Sequence, residues 1–157
     1  MWVQMSAERK LEGLGIKLGK LAESTAAYVP AMRVGNLVFT SGHGPNILGR
    51  GEYRGKLGKG LCHRARIRSC KDLRNQLPDR YKDLIGDLDK VDQVVKVLGF
   101  VNSADGFNQQ AKVVNGASEL LLTIFGERGG HARSAVGLKE LPNNIAVEVE
   151  MIVSIKN

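Results

Sequence analysis

The chain has 157 residues, 43% of them apolar and 25% charged, with a formal net charge of +7. That balance excludes intrinsic disorder, low-complexity sequence and a collagen-like chain, and it suits one domain, 1–157, with a core large enough to need no metal or disulfide staple. No apolar stretch approaches the roughly 18 residues of a membrane span, and Cys62 and Cys70 fit neither a disulfide framework nor a metal-ligand spacing.

The first residues show no basic leader ahead of an apolar run, so a cytoplasmic location is expected. Residues 1–24 read as an N-terminal extension with one short helix. Ser6 is placed to cap Ala7–Leu14, Glu8 sits in the first turn, and Gly13, Gly15 and Gly19 then break the pattern. From Ala31 to Gly42 the text AMRVGNLVFTSG signals β structure turning at Gly35-Asn36. The glycine-rich stretch from Gly42 to Gly60 has no GxxxxGK[ST] and no strand–GxGxxG–helix context, so it reads as a loop carrying short strands and not as a phosphate cradle.

Charge concentrates in the next segment. Between Cys62 and Tyr81 six basic residues stand against two acids, so this window alone supplies +4 of the +7. It lacks the interleaved aromatics that stack on bases, apart from Tyr81 at its edge, so nucleic acid is not expected as a partner. Leu84-Ile85-Gly86 looks like a helix end with Gly86 just past it.

Val91 to Val101 predicts a strand covered on both faces, because valine and leucine recur on each. Asn108 to Phe125 predicts an amphipathic helix. Gln110, Val113, Val114, Ala117, Leu120, Leu121 and Ile124 keep to one broad face, and Gly126 is placed to end it. Two strands follow, Ala132–Leu141 and Ala146–Ile155, joined at Pro142-Asn143-Asn144. In the last strand Val147, Val149, Met151, Val153 and Ile155 share one face, while Glu148 and Glu150 point the other way. The order is strands, helix, strand, helix, two strands: an α+β fold with both helices on one sheet face.

Chemistry concentrates in residues 131–152, HARSAVGLKELPNNIAVEVEMI. If the two last strands are antiparallel neighbours, Arg133 and Glu148 could meet in one pocket. The guanidinium would clamp a small carboxylate, and the glutamate would orient a water or relay a proton. A surface cross-strand pair of little energetic value is the commoner outcome of such spacing.

This stretch resembles the signature of the YjgF/YER057c/UK114 family, also called RidA or endoribonuclease L-PSP. The pattern is a small residue before arginine, a Leu-Pro turn, then an apolar–Glu–apolar strand. Tyr28 to Gly42 resembles the family's first strand pair. Gly86 to Phe107 and Val113 to Gly126 resemble its middle strand and second helix, so about three quarters of the chain is covered. The resemblance implies a chorismate-mutase-like fold with a mixed sheet, assembled as a homotrimer with clefts between subunits. It further implies cofactor-free hydrolysis of reactive enamines and imines, such as 2-aminoacrylate and related 2-imino acids, to 2-keto acids and ammonia. No metal is implied. By position, Arg133 matches the arginine that binds the substrate carboxylate and Glu148 the glutamate that holds the water. Tyr28 matches the cleft tyrosine, Asn115 the asparagine of the second helix, and Gly42 the turn that lines the cleft.

Two positions depart from the family pattern: His131 replaces the usual proline two places before the arginine, and Ala135 replaces a frequent cysteine two places after it. A larger departure is CHRARIRSCKDLRNQLPDRY, residues 62–81, where the family has a helix with a GYEAA-like start and this chain has Pro78. Permitted codons for these residues, read one base later, give VTEQGYEAAKICAINCLTAI, an amphipathic helix of the same length. Two compensating frame shifts are therefore the expected origin of the printed text, and peptide masses across residues 62–81 decide between the two versions. The competing functions are an endoribonuclease or translation inhibitor of the L-PSP type, for which His43, His63 and His131 are dispersed, and a non-catalytic module that binds a small carboxylate.

Overall fold

The computed structural model describes residues 5–16, 27–44, 54–59 and 85–156. The segment 62–81, with the first of the two expected helices, lies outside the described residues, as do Cys62, His63 and Cys70.

Helix α1 is Ala7–Gly13, and its Ser6 cap is as expected: Ser6 Oγ accepts from the Arg9 N–H. Strands β1 (Ala31–Val34) and β2 (Leu37–Thr40) form an antiparallel hairpin around Gly35-Asn36, where Gly35 has φ +60°. Strand β3 (Val91–Asn102) leads through helix α2 (Gln110–Phe125) to β4 (Ala132–Leu138), and β5 (Val147–Ile155) closes the chain. The sheet order is β1-β2-β5-β3-β4, with β3 and β4 parallel and the other neighbours antiparallel.

This order corrects the sequence reading on one point that matters for the site. Strands β4 and β5 are not neighbours; β3 lies between them. The physical reason is the crossover. Helix α2 carries the chain back so that β4 lies parallel to one edge of β3, and β5 must then take the other edge. The connection from β4 to β5 crosses the end of β3 and is fastened there by Asn102. Its backbone N–H donates to Ala146 O, and its side-chain amide donates to Asn144 Oδ1 and Ile145 O, each at 3.1 Å. Asn102 is fully buried. Asn143 and Asn144 both take positive φ, the conformation their short polar side chains tolerate at a turn.

The core lies between the sheet and α2. Val97, Val101, Val147, Val149 and Met151 meet Val113, Val114, Leu120, Leu121 and Ile124, all buried. Gly99 lets the helix come close, since a Cβ there would stand 2.5 Å from Val114 Cγ2. Helix α1 packs on α2 through Leu11, and Lys10 Nζ donates to Ile124 O at the end of α2, where a cation complements the helix dipole. Among the described residues no element covers the opposite sheet face. Met32, Val34, Phe39, Val136 and Leu138 are exposed there, so the two-sided cover read from β3 is realised on one side only.

Candidate functional site

The residues singled out from the sequence fall into two groups on opposite faces of the sheet. Arg133 pairs in register with Val97, whose side chain is in the core under α2, so the guanidinium also points to the helix side. There Arg133 Nη1 donates to Asn115 Oδ1 and to Ser118 Oγ, each at 2.9 Å. Both acceptors lie on α2 three residues apart, a spacing that puts them on one helix face. Ser118 was not visible as a site residue in the sequence. The signal that could have found it is this i, i+3 relation to Asn115. Ser118 Oγ also lies 3.0 Å from His131 Nε2, and His131 Nδ1 lies 2.6 Å from Gly129 O.

The second group sits on the uncovered face. Glu148 pairs with Phe100 and projects away from the core, and it lies directly over Gly42. A Cβ at Gly42 would overlap Glu148 Oε1, so the absence of a side chain makes room for the carboxylate. Burial pushes the Glu148 carboxyl above its ordinary range, and the neighbouring Glu150 carboxylate adds to the effect. The chain before β1 runs beside Gly42: Ser41 Oγ donates to Val29 O, and the Ser41 N–H donates to Pro30 O. Tyr28, one residue earlier, is exposed. His43 is buried and forms a bridge with Val149.

Gly42→Ala separates geometry from stability. The atom in the way is the tip of a flexible side chain, so the fold is expected to lose less than about 1 kcal/mol while the Glu148 carboxylate is displaced. A melting temperature near that of the parent, together with a crystal structure showing Glu148 turned away from Gly42, would meet this expectation.

Within one chain the two groups do not share a pocket. Arg133 lies across β3 from Met151, and Glu148 is three residues before Met151 on β5. Two strand spacings and three residues of rise put their backbones about 14 Å apart, with the side chains on opposite faces. The expectation of one pocket between adjacent strands is therefore not met within the chain.

The family model described as "YjgF/chorismate mutase-like, putative endoribonuclease" matches residues 8–154. The chain belongs to this family. It is 40% identical over 151 residues to protein TCP17 of Trypanosoma cruzi, covering 94% of this chain and 92% of that one. Among solved structures it is similar to Atu1372 of Agrobacterium tumefaciens, with 38% identity, TM-score 0.86, and coverage of 96% and 94% of the two chains. It is also similar to the "putative endoribonuclease" of Shewanella oneidensis, at 28% identity and TM-score 0.88, covering 96% and 100%. RidA of an Antarctic Psychrobacter shares the fold, with 22% identity, TM-score 0.55 and coverage of 89% and 98%. Among the described residues no helix is long and apolar enough to cross a membrane.

Proposed function

We propose that the protein hydrolyses reactive 2-enamino and 2-imino acids to 2-keto acids and ammonia, without a cofactor, in clefts between the subunits of a homotrimer. The observation that carries the reading is the guanidinium of Arg133. Its Nη1 is committed to Asn115 and Ser118, while among the described residues Nε and Nη2 have no partner. Those two nitrogens form a planar fork suited to a carboxylate. An iminium carbon is already electrophilic, so a site that fixes the carboxylate and presents a water supplies most of what the reaction needs. Glu148, with its carboxyl held above the ordinary range, suits the role of taking a proton from that water.

A second copy supplies what one chain lacks. Arg133 and Asn115 of one subunit would face Gly42, Glu148 and Tyr28 of the next. The exposed apolar residues on the open sheet face favour burial by such a neighbour. Sedimentation should give three times the chain mass.

The test is release of keto acid and ammonia from an imino acid generated in situ by an amino-acid oxidase, with RNA cleavage measured on the same preparation. The names of the family and of the Shewanella oneidensis relative favour an L-PSP-type endoribonuclease as the second reading. RNA cleavage without accelerated imine hydrolysis would establish that reading instead.

Imine hydrolysis should follow the ionisation of Glu148. Its raised pKa places the acid limb of kcat/KM above the ordinary carboxylate range, with activity rising as the proton leaves. Glu150→Gln removes the smaller of the two causes and should move that limb to lower pH. The linkage sign is opposite for folding: the Glu148 contribution is present below the ordinary carboxylate pKa and is lost as pH rises through the raised one.

A further inference from the structure

We propose that Ser118 and His131 are positioning residues for Arg133, forming a hydrogen-bond relay that runs in one direction only. The inference rests on the carboxylate-binding reading of Arg133 given above and goes beyond it by naming what aims the guanidinium. Gly129 O can only accept, so at 2.6 Å it fixes the proton of His131 on Nδ1. In a neutral imidazole Nε2 is then an acceptor, and its partner at 3.0 Å, Ser118 Oγ, must donate. With its own proton turned toward His131, the serine presents a lone pair to Arg133 Nη1, which can only donate, at 2.9 Å. Asn115 Oδ1 accepts the second Nη1 proton.

Both Nη1 protons are thereby used, and the rotation of the guanidinium plane is fixed by two acceptors on α2. The edge left over is Nε with Nη2, the side-on fork that receives a planar carboxylate through two parallel bonds. Pre-orienting that edge lowers the ordering cost of binding, so the relay should act on affinity and little on the chemical step. His131 contributes without touching substrate. It keeps the serine hydroxyl turned the right way.

Four single variants test this: Ser118→Ala and His131→Leu break the relay, while Ser118→Thr and His131→Gln keep an acceptor or hydroxyl at each step. Two readouts are taken on the full chain. One is the affinity for 2-oxobutanoate together with KM and kcat for the imino acid. The other is the Arg133 guanidinium signal of isotopically labelled protein, free of ligand. Ser118→Ala and His131→Leu are expected to raise the dissociation constant and KM about 5- to 20-fold with kcat within about 2-fold. They should also merge the separate Nη1 and Nη2 resonances of the parent. Ser118→Thr and His131→Gln are expected to stay close to the parent in both readouts. Unchanged resonances and affinity in Ser118→Ala and His131→Leu, or equal impairment in all four variants, would overturn the relay. A parent protein with separate Nη signals that merge in Ser118→Ala and His131→Leu, but with no affinity for 2-oxobutanoate and no turnover, would keep the relay and defeat the deaminase reading.

Discussion

Arg133→Ala is expected to lower kcat/KM for a 2-imino acid at least about 100-fold, equivalent to ~2.7 kcal/mol of lost transition-state stabilisation. On the proposed function, the substitution removes a charge-assisted, two-pronged contact to the substrate carboxylate. Arg133→Lys should recover little. A lysine ammonium is a point charge on a flexible stem, and it cannot bond Asn115 and Ser118 while presenting a planar fork. Arg133 sits at the start of β4 and is only partly buried, so both variants should fold and assemble as the parent does. Steady-state kinetics beside a sedimentation profile check the two halves of this expectation. A substitution that lowered activity only by dissolving the oligomer would not meet it.

Asn102→Ala is expected to cost roughly 2–4 kcal/mol of stability, read from denaturant unfolding with an unchanged m-value. The side-chain amide of Asn102 is fully buried and bonds Asn144 and Ile145, and its loss leaves both acceptors without that donor. The consequence reaches the site. The fastened connection sets where β5 begins, and therefore where Glu148 stands over Gly42. Activity should fall along with stability in this variant, unlike Gly42→Ala, where the two separate.

The contrast between these two residues shows what could be read from the sequence. Local chemistry was legible wherever it is written within a few residues. The Ser6 cap, the Gly35-Asn36 turn, the apolar face of α2 and the alternation along β5 all appear as expected. Each depends on a period or a turn preference that neighbours in the chain enforce on one another. Helix α2 starts at Gln110, two residues later than the pattern suggested, and β4 ends at Leu138 instead of Leu141. Such shifts are ordinary at element ends.

Pairing between strands far apart in the chain was not legible. A Leu-Pro turn between two strands looks like a hairpin, and nothing local reveals that β3 fills the gap. That outcome is set by the β3–α2–β4 crossover, a relation between residues tens of positions apart. The candidate site shows the same divide. Asn115 and Arg133 do meet, as do Gly42 and Glu148, but the two pairs lie on opposite faces. The sequence supplied the residue types, and only the topology shows that one chain keeps the two pairs apart. Ser118 escaped notice because its i, i+3 relation to Asn115 gains meaning only once Arg133, arriving from β4, reaches both side chains.

A structure of the protein with a small 2-keto acid such as 2-oxobutanoate bound puts the proposed two-subunit cleft to the test. The ligand carboxylate is expected on the Nε and Nη2 edge of Arg133, with Gly42 and Glu148 of a second subunit across from its keto carbon. A carboxylate bound away from that edge, or a site completed by a single chain, would contradict it.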